Sequence, residues 1–264
     1  MHELTVAKGA LLFVAALIAG AVNAVAGGGT LLTFPALLSI GLPPITANAT
    51  STVALVPGSL SAFWGYRSEM KGSRRSLLWL GLPSLLGGAV GAFLAVKAGD
   101  SLFSRLVPWL ILGATVLFMI QDPVRRWLDR RQPASAPESE PGGTRLVGVM
   151  AFQFSVAIYG GFFGAGIGIL MLAALGFLGL SNIHRMNGLK NFAAVCINGV
   201  GAATFIFFGR VQWPLALLMM VAAIIGGYSG AGIARRLGQK NVRRLVIAIG
   251  LGIGFYLLVH RSVS

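Results

Sequence analysis

Apolar residues occur along this chain in long runs, each ended by a short polar or glycine-rich stretch. Most runs are long enough to cross the ~30 Å hydrocarbon core of a bilayer as a helix. Leu31–Ile40 and Ile167–Leu180 are shorter, and at ~1.5 Å per residue they predict half-helices or re-entrant segments. The pattern therefore predicts an all-α polytopic membrane protein with eight to ten membrane segments, half-helices included. The ten runs are Gly9–Ala26, Leu31–Ile40, Ile45–Tyr66, Leu77–Val96, Leu102–Ile120, Leu146–Phe163, Ile167–Leu180, Ile183–Phe208, Pro214–Ala234 and Val242–Val259.

The second half of the chain repeats the first at a constant offset of 139 residues. The matches keep this offset without a gap, which chance matches in a glycine-rich chain would not do. Each half holds five apolar runs, a pattern found in many secondary transporters. We therefore divide the chain into membrane repeats at 1–121 and 146–264, joined by a linker at 122–145. The matching pairs are Gly29 with Gly168, Asn48 with Asn187, Gly87 with Gly226, Gly88 with Gly227, Gly91 with Gly230, Arg105 with Arg244 and Gly113 with Gly252.

Lysine and arginine lie mostly between the runs, so their distribution predicts the orientation of the chain. If each half crosses the membrane an odd number of times, the repeats are inverted, and 15 Lys and Arg lie on one side against five on the other. If the number is even, the repeats are parallel and the split is 12 to 8. Lys190 is set aside as intramembrane in both counts. Because cytoplasmic loops are enriched in Lys and Arg, we predict inverted repeats, a cytoplasmic linker and termini outside. The linker ends in QPASAPESEPGG, a composition that predicts partial disorder.

The composition supports the membrane class and excludes others. Hydrophobic residues make up 56% of the chain and charged residues 11%, whereas ordinary globular domains have about 25% charged residues. The net charge of +14 sits in short clusters between apolar runs, so we do not expect a nucleic-acid partner. A single cysteine, Cys196, and three scattered histidines provide neither a disulfide nor a metal-ligand set. We therefore expect no metal and no cofactor.

The acidic residues are informative by their positions. All seven lie in predicted loops or near the termini, and none lies in the middle of a membrane segment. Cation pathways and most proton relays depend on intramembrane carboxylates, and an intramembrane hydrolase would need comparable groups. The sequence therefore argues against a cation transporter and against an enzyme, and we expect no catalytic residues. The seven are Glu3, Glu69, Asp100, Asp122, Asp129, Glu138 and Glu140.

Lys190 lies six or seven residues into the run that starts at Ile183, which is roughly 10 Å deep at helical rise. An ammonium at that depth costs a few kcal/mol or more unless it meets water, a partner or a ligand. One interpretation is an anion-binding site. The other is that the side chain snorkels back to the interface.

Three asparagines, Asn187, Asn191 and Asn198, are spaced by four and seven residues and share one helix face beside Lys190. They could face a cavity, or they could form hydrogen bonds between helices, as membrane asparagines often do. Thr50, Ser51 and Thr52 are the repeat equivalents of Leu189, Lys190 and Asn191, and they could supply neutral donors from the first half.

Glycines precede both half-helices, at Gly27, Gly28 and Gly29 in the first repeat and at Gly164, Gly166 and Gly168 in the second. A helix N-terminus reached through glycines presents free backbone N–H groups and the positive end of a dipole, which suits an anion. Close helix packing through small residues is the alternative. It accounts for the glycine pairs at Gly87 and Gly226.

The stretches NAVAGGGTLLTFPALLSIGLPPITANATST and GFFGAGIGILMLAALGFLGL, with MNGLKNFAAVCINGV, resemble the sulfite exporter TauE/SafE family of membrane permeases. The resemblance covers nearly the whole chain apart from the linker. It implies transport of small sulfur-containing anions such as sulfite or organosulfonates, with Gly27 to Gly29 and Asn48 to Ser51 lining the first half of the pathway. The second half departs from the family's A-T-S pattern, since Asn187 to Lys190 stand in its place.

We therefore expect a secondary transporter, and on the family's account an exporter, in the bacterial cytoplasmic (inner) membrane. The anion would bind near the midplane, and one repeat would rock against the other to give alternating access. An anion channel along the same pathway, or a permease for another small organic anion, stays open, as do proton coupling and a homodimer. The expected partners are the anion and the lipid bilayer. The expected substrate-binding residues are Gly27, Gly28, Gly29, Thr30, Asn48, Thr50, Ser51, Gly166, Gly168, Asn187, Lys190 and Asn191.

Overall fold

A computed structural model describes residues 5–25, 28–67, 70, 74–131, 143–177, 180, 183–237 and 239–261. Within these ranges the chain forms nine helices and no strand. The expected all-α polytopic membrane protein is confirmed. The helices are α1 (Val6–Val25), α2 (Thr30–Ser39), α3 (Pro44–Gly65), α4 (Arg74–Arg131), α5 (Gly143–Phe162), α6 (Ile167–Phe177), α7 (Ile183–Phe207), α8 (Trp213–Leu237) and α9 (Gln239–Arg261).

The apolar runs and the helices coincide closely, with one merger. Two predicted runs form the single element α4, which is interrupted at Gly99 by a non-helical backbone (φ 68°, ψ 164°). We call residues 74–98 the first limb of α4 and residues 100–131 the second limb. The second limb extends beyond the predicted end at Ile120, because the Arg- and Leu-containing segment that follows is compatible with a helix. The remainder of the predicted linker, residues 132–142, lies outside the described residues.

Three helical segments in the described ranges are long and apolar enough to cross a membrane, namely Val6–Asn23, Arg75–Ile120 and Arg185–Phe207. The half-helices α2 and α6 have 10 and 11 residues, which is about half of a bilayer core at helical rise. The apolar segments of α5, α8 and α9 within the described ranges are shorter: Leu146–Phe162, Trp213–Tyr228 and Val246–Val259.

The helix boundaries reproduce the 139-residue offset that relates the two halves. The helices α1, α2 and α3 correspond to α5, α6 and α7, and the two limbs of α4 correspond to α8 and α9. Each helix of the second half begins within two residues of the position that the offset gives. The same order of long, short, long, long and long elements therefore occurs twice.

The two repeats are interlocked, because the fourth helix of each repeat packs against the other repeat. The helix α8 lies against α1 and α3, while the first limb of α4 lies against α5 and α7. Glycines permit both approaches. A Cβ added at Gly226 would overlap the carbonyl oxygen of Leu17, and one at Gly87, its repeat equivalent, would lie 2.6 Å from that of Phe154.

The half-helix α2 lies inside the bundle. Its side chains from Thr30 to Pro35 are all buried. The ring of Phe34 packs edge-on against Phe103 of the second limb and Phe163 beyond α5, with centroids 6.4 and 5.2 Å apart. A short helix with its end at membrane depth is tolerated when protein surrounds it. The bundle therefore supports a helix terminus in its interior.

Substitution of Gly226 by alanine is expected to destabilise the fold. The new methyl group meets backbone that cannot rotate away, so α1 and α8 must separate, and such overpacking typically costs about 1–3 kcal/mol. Gly252→Ala is the matched control, because a Cβ there has no atom within 4 Å. Thermal unfolding in detergent should show a lower melting temperature for Gly226→Ala and no loss for the control. An unchanged melting temperature for Gly226→Ala would contradict the interlocked packing.

Candidate functional site

A small polar cavity lies between the middle of α3 and the middle of α7, at the N-terminal ends of α2 and α6. The space open to the centre of a water molecule is about 10 Å³, roughly what one water needs. The accessible space is therefore smaller than a polyatomic anion. Its lining residues are Asn23, Thr30, Thr52, Leu55, Ser59, Gly164, Ile167, Gly168, Lys190, Asn191, Ala194 and Asn198.

The lining from α3 and from α7 comes from equivalent positions of the two repeats. On α7 the lining residues Asn191, Ala194 and Asn198 are spaced by three and four, which places them on one helix face. The offset of 139 relates them to Thr52, Leu55 and Ser59, which line the cavity from α3. The cavity therefore lies where the two repeats meet through corresponding faces.

Lys190 breaks this symmetry. Its equivalent in the first repeat is Ser51, whose hydroxyl shares a 2.6 Å hydrogen bond with that of Thr33. The side chain of Lys190 is only 1% exposed, and it is the one charged side chain among the described residues that is buried. It is enclosed by protein rather than extended along the outside of the bundle, so the cavity has a cation in its wall.

Asn191, one residue further along α7, offers the clearest vacant donor. It is 3% exposed and lines the cavity, and its Nδ2 is buried without a hydrogen-bond partner in the described part of the chain. A buried donor left unpaired costs about 1–3 kcal/mol. An acceptor that enters the cavity would remove that cost. On the other side, Asn23 Nδ2 donates to Ser59 Oγ at 2.8 Å.

A glycine turn brings the second half-helix to the cavity. Gly164 and Gly166 have φ angles of 81° and 79°, which favour glycine, and they direct the chain from α5 into α6. Gly164 and Gly168 then line the cavity, whereas Gly166 faces the second limb of α4, where an added Cβ would lie 3.3 Å from Leu117. The N-terminal turn of α6 thus contributes backbone to the cavity wall.

The first-repeat glycines are placed differently. Gly28 and Gly29 are buried against the ring of Phe118 and the backbone of Ala19, respectively, and they do not line the cavity. Gly27 lies outside the described residues. Thr30, the first residue of α2, lines the cavity.

Three further predicted residues form hydrogen bonds in the structure around the cavity. Asn48 donates from Nδ2 to the carbonyl oxygen of Phe162 at 3.0 Å, next to the glycine turn. Thr50 Oγ1 accepts from the backbone N–H of Gln212 at 3.0 Å, and Ser51 is bonded within its own repeat. Thr50 and Ser51 miss the cavity because Thr52 lies on the lining face of α3, and they lie about 200° and about 100° from it around the helix. Asn48 lies one turn before Thr52, outside the lining residues. Asn187 also lies off the cavity, with its Oδ1 buried and unpartnered in the described ranges.

The cavity is also lined by Asn23, Thr52, Ser59, Gly164 and Asn198, which the expected substrate-binding set leaves out. The sequence indicates Thr52, Gly164 and Asn198 as candidates, and the offset that maps Asn198 onto the first repeat gives Ser59. Among the residues that the structure describes, no group of three or more His, Cys, Asp or Glu could hold a metal ion. The site offers one cation, neutral donors and helix N-termini, a combination suited to an anion.

The chain is similar to known membrane transporters. The sulfite exporter TauE/SafE family matches residues 12–257 of the chain. A "Probable membrane transporter protein" of Haemophilus influenzae is 30% identical over 90% of this chain and 89% of its own length. "Probable membrane transporter protein ORF9" of Sinorhizobium sp is 28% identical over 98% and 95%, and "Probable membrane transporter protein YfcA" of Escherichia coli K12 is 26% identical over 90% and 85%.

Replacement of Asn48 by leucine is expected to destabilise the protein by about 1–3 kcal/mol, because the carbonyl of Phe162 loses its buried donor. Ser104→Ala is the control: its hydroxyl bonds the carbonyl of Ser101 on an exposed face, where losses stay within about 0.5 kcal/mol. Chemical denaturation in detergent would measure both. Equal stability of the two variants would show that the hydrogen bond between Asn48 and α5 contributes nothing measurable to the free energy of unfolding.

Proposed function

This chain belongs to the sulfite exporter TauE/SafE family and is a membrane transporter; from that premise we propose that it carries a small sulfur-containing anion, sulfite or an organosulfonate, by alternating access. The proposed direction is export across the bacterial cytoplasmic membrane. The observation that carries the proposal is the buried ammonium of Lys190 in the wall of a polar cavity between the repeats.

The chemistry of the cavity suits an oxyanion. The charge of Lys190 would attract the anion, and the vacant amide of Asn191 would donate to one of its oxygens. Hydroxyls and an amide from both repeats line the rest, at Thr30, Thr52 and Asn198. We assign Asn48, Thr50 and Ser51 to the support of this site rather than to contact with the substrate.

The small size of the cavity supports a transporter over a channel. With about 10 Å³ of space, the site must widen before an anion enters. On the side of the basic loop lies a buried apolar layer that includes Met70, Trp79 and Leu189. On the other side lie the aromatic contacts of Phe34. Alternate opening of these layers would expose the site to each side in turn.

The interlocked packing suggests which parts move. Whole repeats cannot rock apart without breaking the glycine contacts of α8 with α1 and of the first limb of α4 with α5. We therefore assign the motion to two mixed units. Unit A contains α1, α2, α3 and α8, and unit B contains the first limb of α4, α5, α6 and α7. The cavity lies between them, because Thr52 and Ser59 belong to unit A and Lys190 and Asn191 to unit B.

Orientation in the membrane follows from charge. The arrangement that places 15 Lys and Arg on one side against five on the other puts the central linker in the cytoplasm. The apolar layer around Met70 would then close the cytoplasmic side, and the contacts of Phe34 would close the outer side.

Sulfite and methanesulfonate are expected to stabilise the purified wild-type protein against thermal unfolding, by about 2.7 kcal/mol at a concentration of roughly 100 Kd. Acetate serves as the carboxylate comparison. Lys190→Met should abolish the stabilisation, because the cavity loses its cation. Lys97→Met is the matched control, since Lys97 is exposed and its ammonium lies over the ring of Phe93.

The variant remains informative if binding is lost, because a cooperative unfolding transition in the absence of anion shows that Lys190→Met is folded. Full retention of the anion effect in Lys190→Met would place the site elsewhere, and loss in Lys97→Met would indicate a nonspecific charge effect.

Cross-linking distinguishes mixed units from rocking repeats. In a Cys196→Ser background, the pair Ser84→Cys and Gln153→Cys joins the two repeats inside unit B, where the native side chains share a 2.9 Å hydrogen bond. We expect sulfite transport into proteoliposomes to survive this cross-link. The pair Phe63→Cys and Phe192→Cys joins unit A to unit B, where the native rings lie 5.6 Å apart, and should stop transport until the link is reduced.

If both cross-links stopped transport, the repeats themselves would be the moving bodies. Transport that survived both would rule out relative motion of α3 and α7. The uncross-linked double variants give the reference rates.

A further inference from the structure

We propose that the cavity selects its substrate by charge, accepting a singly charged anion and rejecting a doubly charged anion of the same size. This inference rests on the proposed anion site at Lys190 and goes beyond it, because it states which ionic form of an oxyanion is carried. For sulfite, that form is hydrogensulfite.

Most of the described residues that line the cavity are uncharged. From unit A it is lined by Asn23 of α1, Thr30 of α2, and Thr52, Leu55 and Ser59 of α3, all neutral. From unit B, α6 and the turn before it contribute neutral residues, and α7 contributes Asn191, Ala194 and Asn198. Lys190 is the one titratable or charged side chain among the described residues that line the cavity. The described wall thus carries one formal positive charge.

An enclosed site with one positive charge is neutral overall when it holds a monoanion. A dianion would leave one net negative charge inside an apolar bundle, and an uncompensated charge in such surroundings is costly. Neutral donors such as Asn191 and the helix N-termini reduce that cost but supply only partial charges. The hydroxyls of Thr30, Thr52 and Ser59 add dipoles, not charge. The electrostatic balance therefore favours the singly charged ligand.

Selection of hydrogensulfite would also explain how a proton could cross the membrane with the substrate. Hydrogensulfite and sulfite interconvert near neutral pH. If hydrogensulfite is the form carried, it crosses with its proton bound to the substrate and releases it on the far side when it dissociates to sulfite. The chain would then need no proton-carrying carboxylate in its membrane segments, in keeping with the positions of its acidic residues.

Methanesulfonate and sulfate provide the direct test. Both are tetrahedral around sulfur and similar in size, but the first has one negative charge and the second has two. Titration calorimetry of the purified protein at equal ionic strength should give a Kd for sulfate at least about tenfold higher, equivalent to about 1.4 kcal/mol.

A pH series removes the contribution of the methyl group. Between about pH 6 and about pH 8, methanesulfonate keeps one charge, so any change in its Kd reports the protein itself. The apparent Kd of total sulfite, divided by that of methanesulfonate at each pH, should rise severalfold across the range as hydrogensulfite disappears. Lys190→Met should weaken methanesulfonate binding at every pH, whereas Lys97→Met should leave it unchanged.

The outcomes separate this inference from the proposed function. Sulfate that binds as tightly as methanesulfonate, or a sulfite ratio that stays flat or falls with pH, overturns the charge selection and leaves the anion site intact. If neither monoanion binds the wild type, or if binding is unaffected in Lys190→Met, the proposed site fails and the inference fails with it.

Discussion

The burial of one ammonium group is the interaction on which the rest of the functional architecture depends. A charge at membrane depth costs a few kcal/mol or more unless its surroundings compensate, and Lys190 is 1% exposed in the middle of an apolar bundle. Around it the protein places the polar faces of α3 and α7, the first turns of two half-helices and a vacant amide at Asn191. These groups are neutral, so Lys190 is the one charged side chain among the described residues of the cavity wall.

The half-helices are possible only because the two repeats interlock. An interior helix end exposes backbone groups that lipid cannot satisfy, so α2 and α6 must be enclosed by protein. Glycines such as Gly87 and Gly226 let the fourth helix of each repeat approach the other repeat at backbone distance. Each repeat also forms part of the wall around the other's half-helix, since α9 lies against α2 and α4 lies against α6, and the polar cavity lies between the repeats. The glycine contacts are the reason why mixed units, rather than whole repeats, are the proposed rigid bodies.

The two repeats contribute equivalent polar residues to this site, but of the residues that the structure describes there, only one from the second repeat is charged. Thr52 and Asn191, and likewise Ser59 and Asn198, occupy equivalent positions and give the cavity polar groups on both sides. Such a surface suits a site that opens alternately to either side. Lys190 has no charged counterpart, because Ser51 stands at its equivalent position and is bonded to Thr33. Among the described lining residues, charge therefore comes from one repeat alone.

The sequence by itself determined the class of the protein, its helices, its internal repeat and the exceptional character of Lys190, because apolar run length and the cost of buried charge are local properties of the chain. It also placed both half-helices, from glycines followed by runs too short to span. It did not separate Thr52, which lines the cavity, from Thr50 and Ser51, since that choice depends on how α3 is rotated against α7. Nor did it indicate that Gly28 packs on Phe118, or that α8 belongs with α1 and α3. Those relations join residues far apart in the chain, and only the tertiary packing decides them.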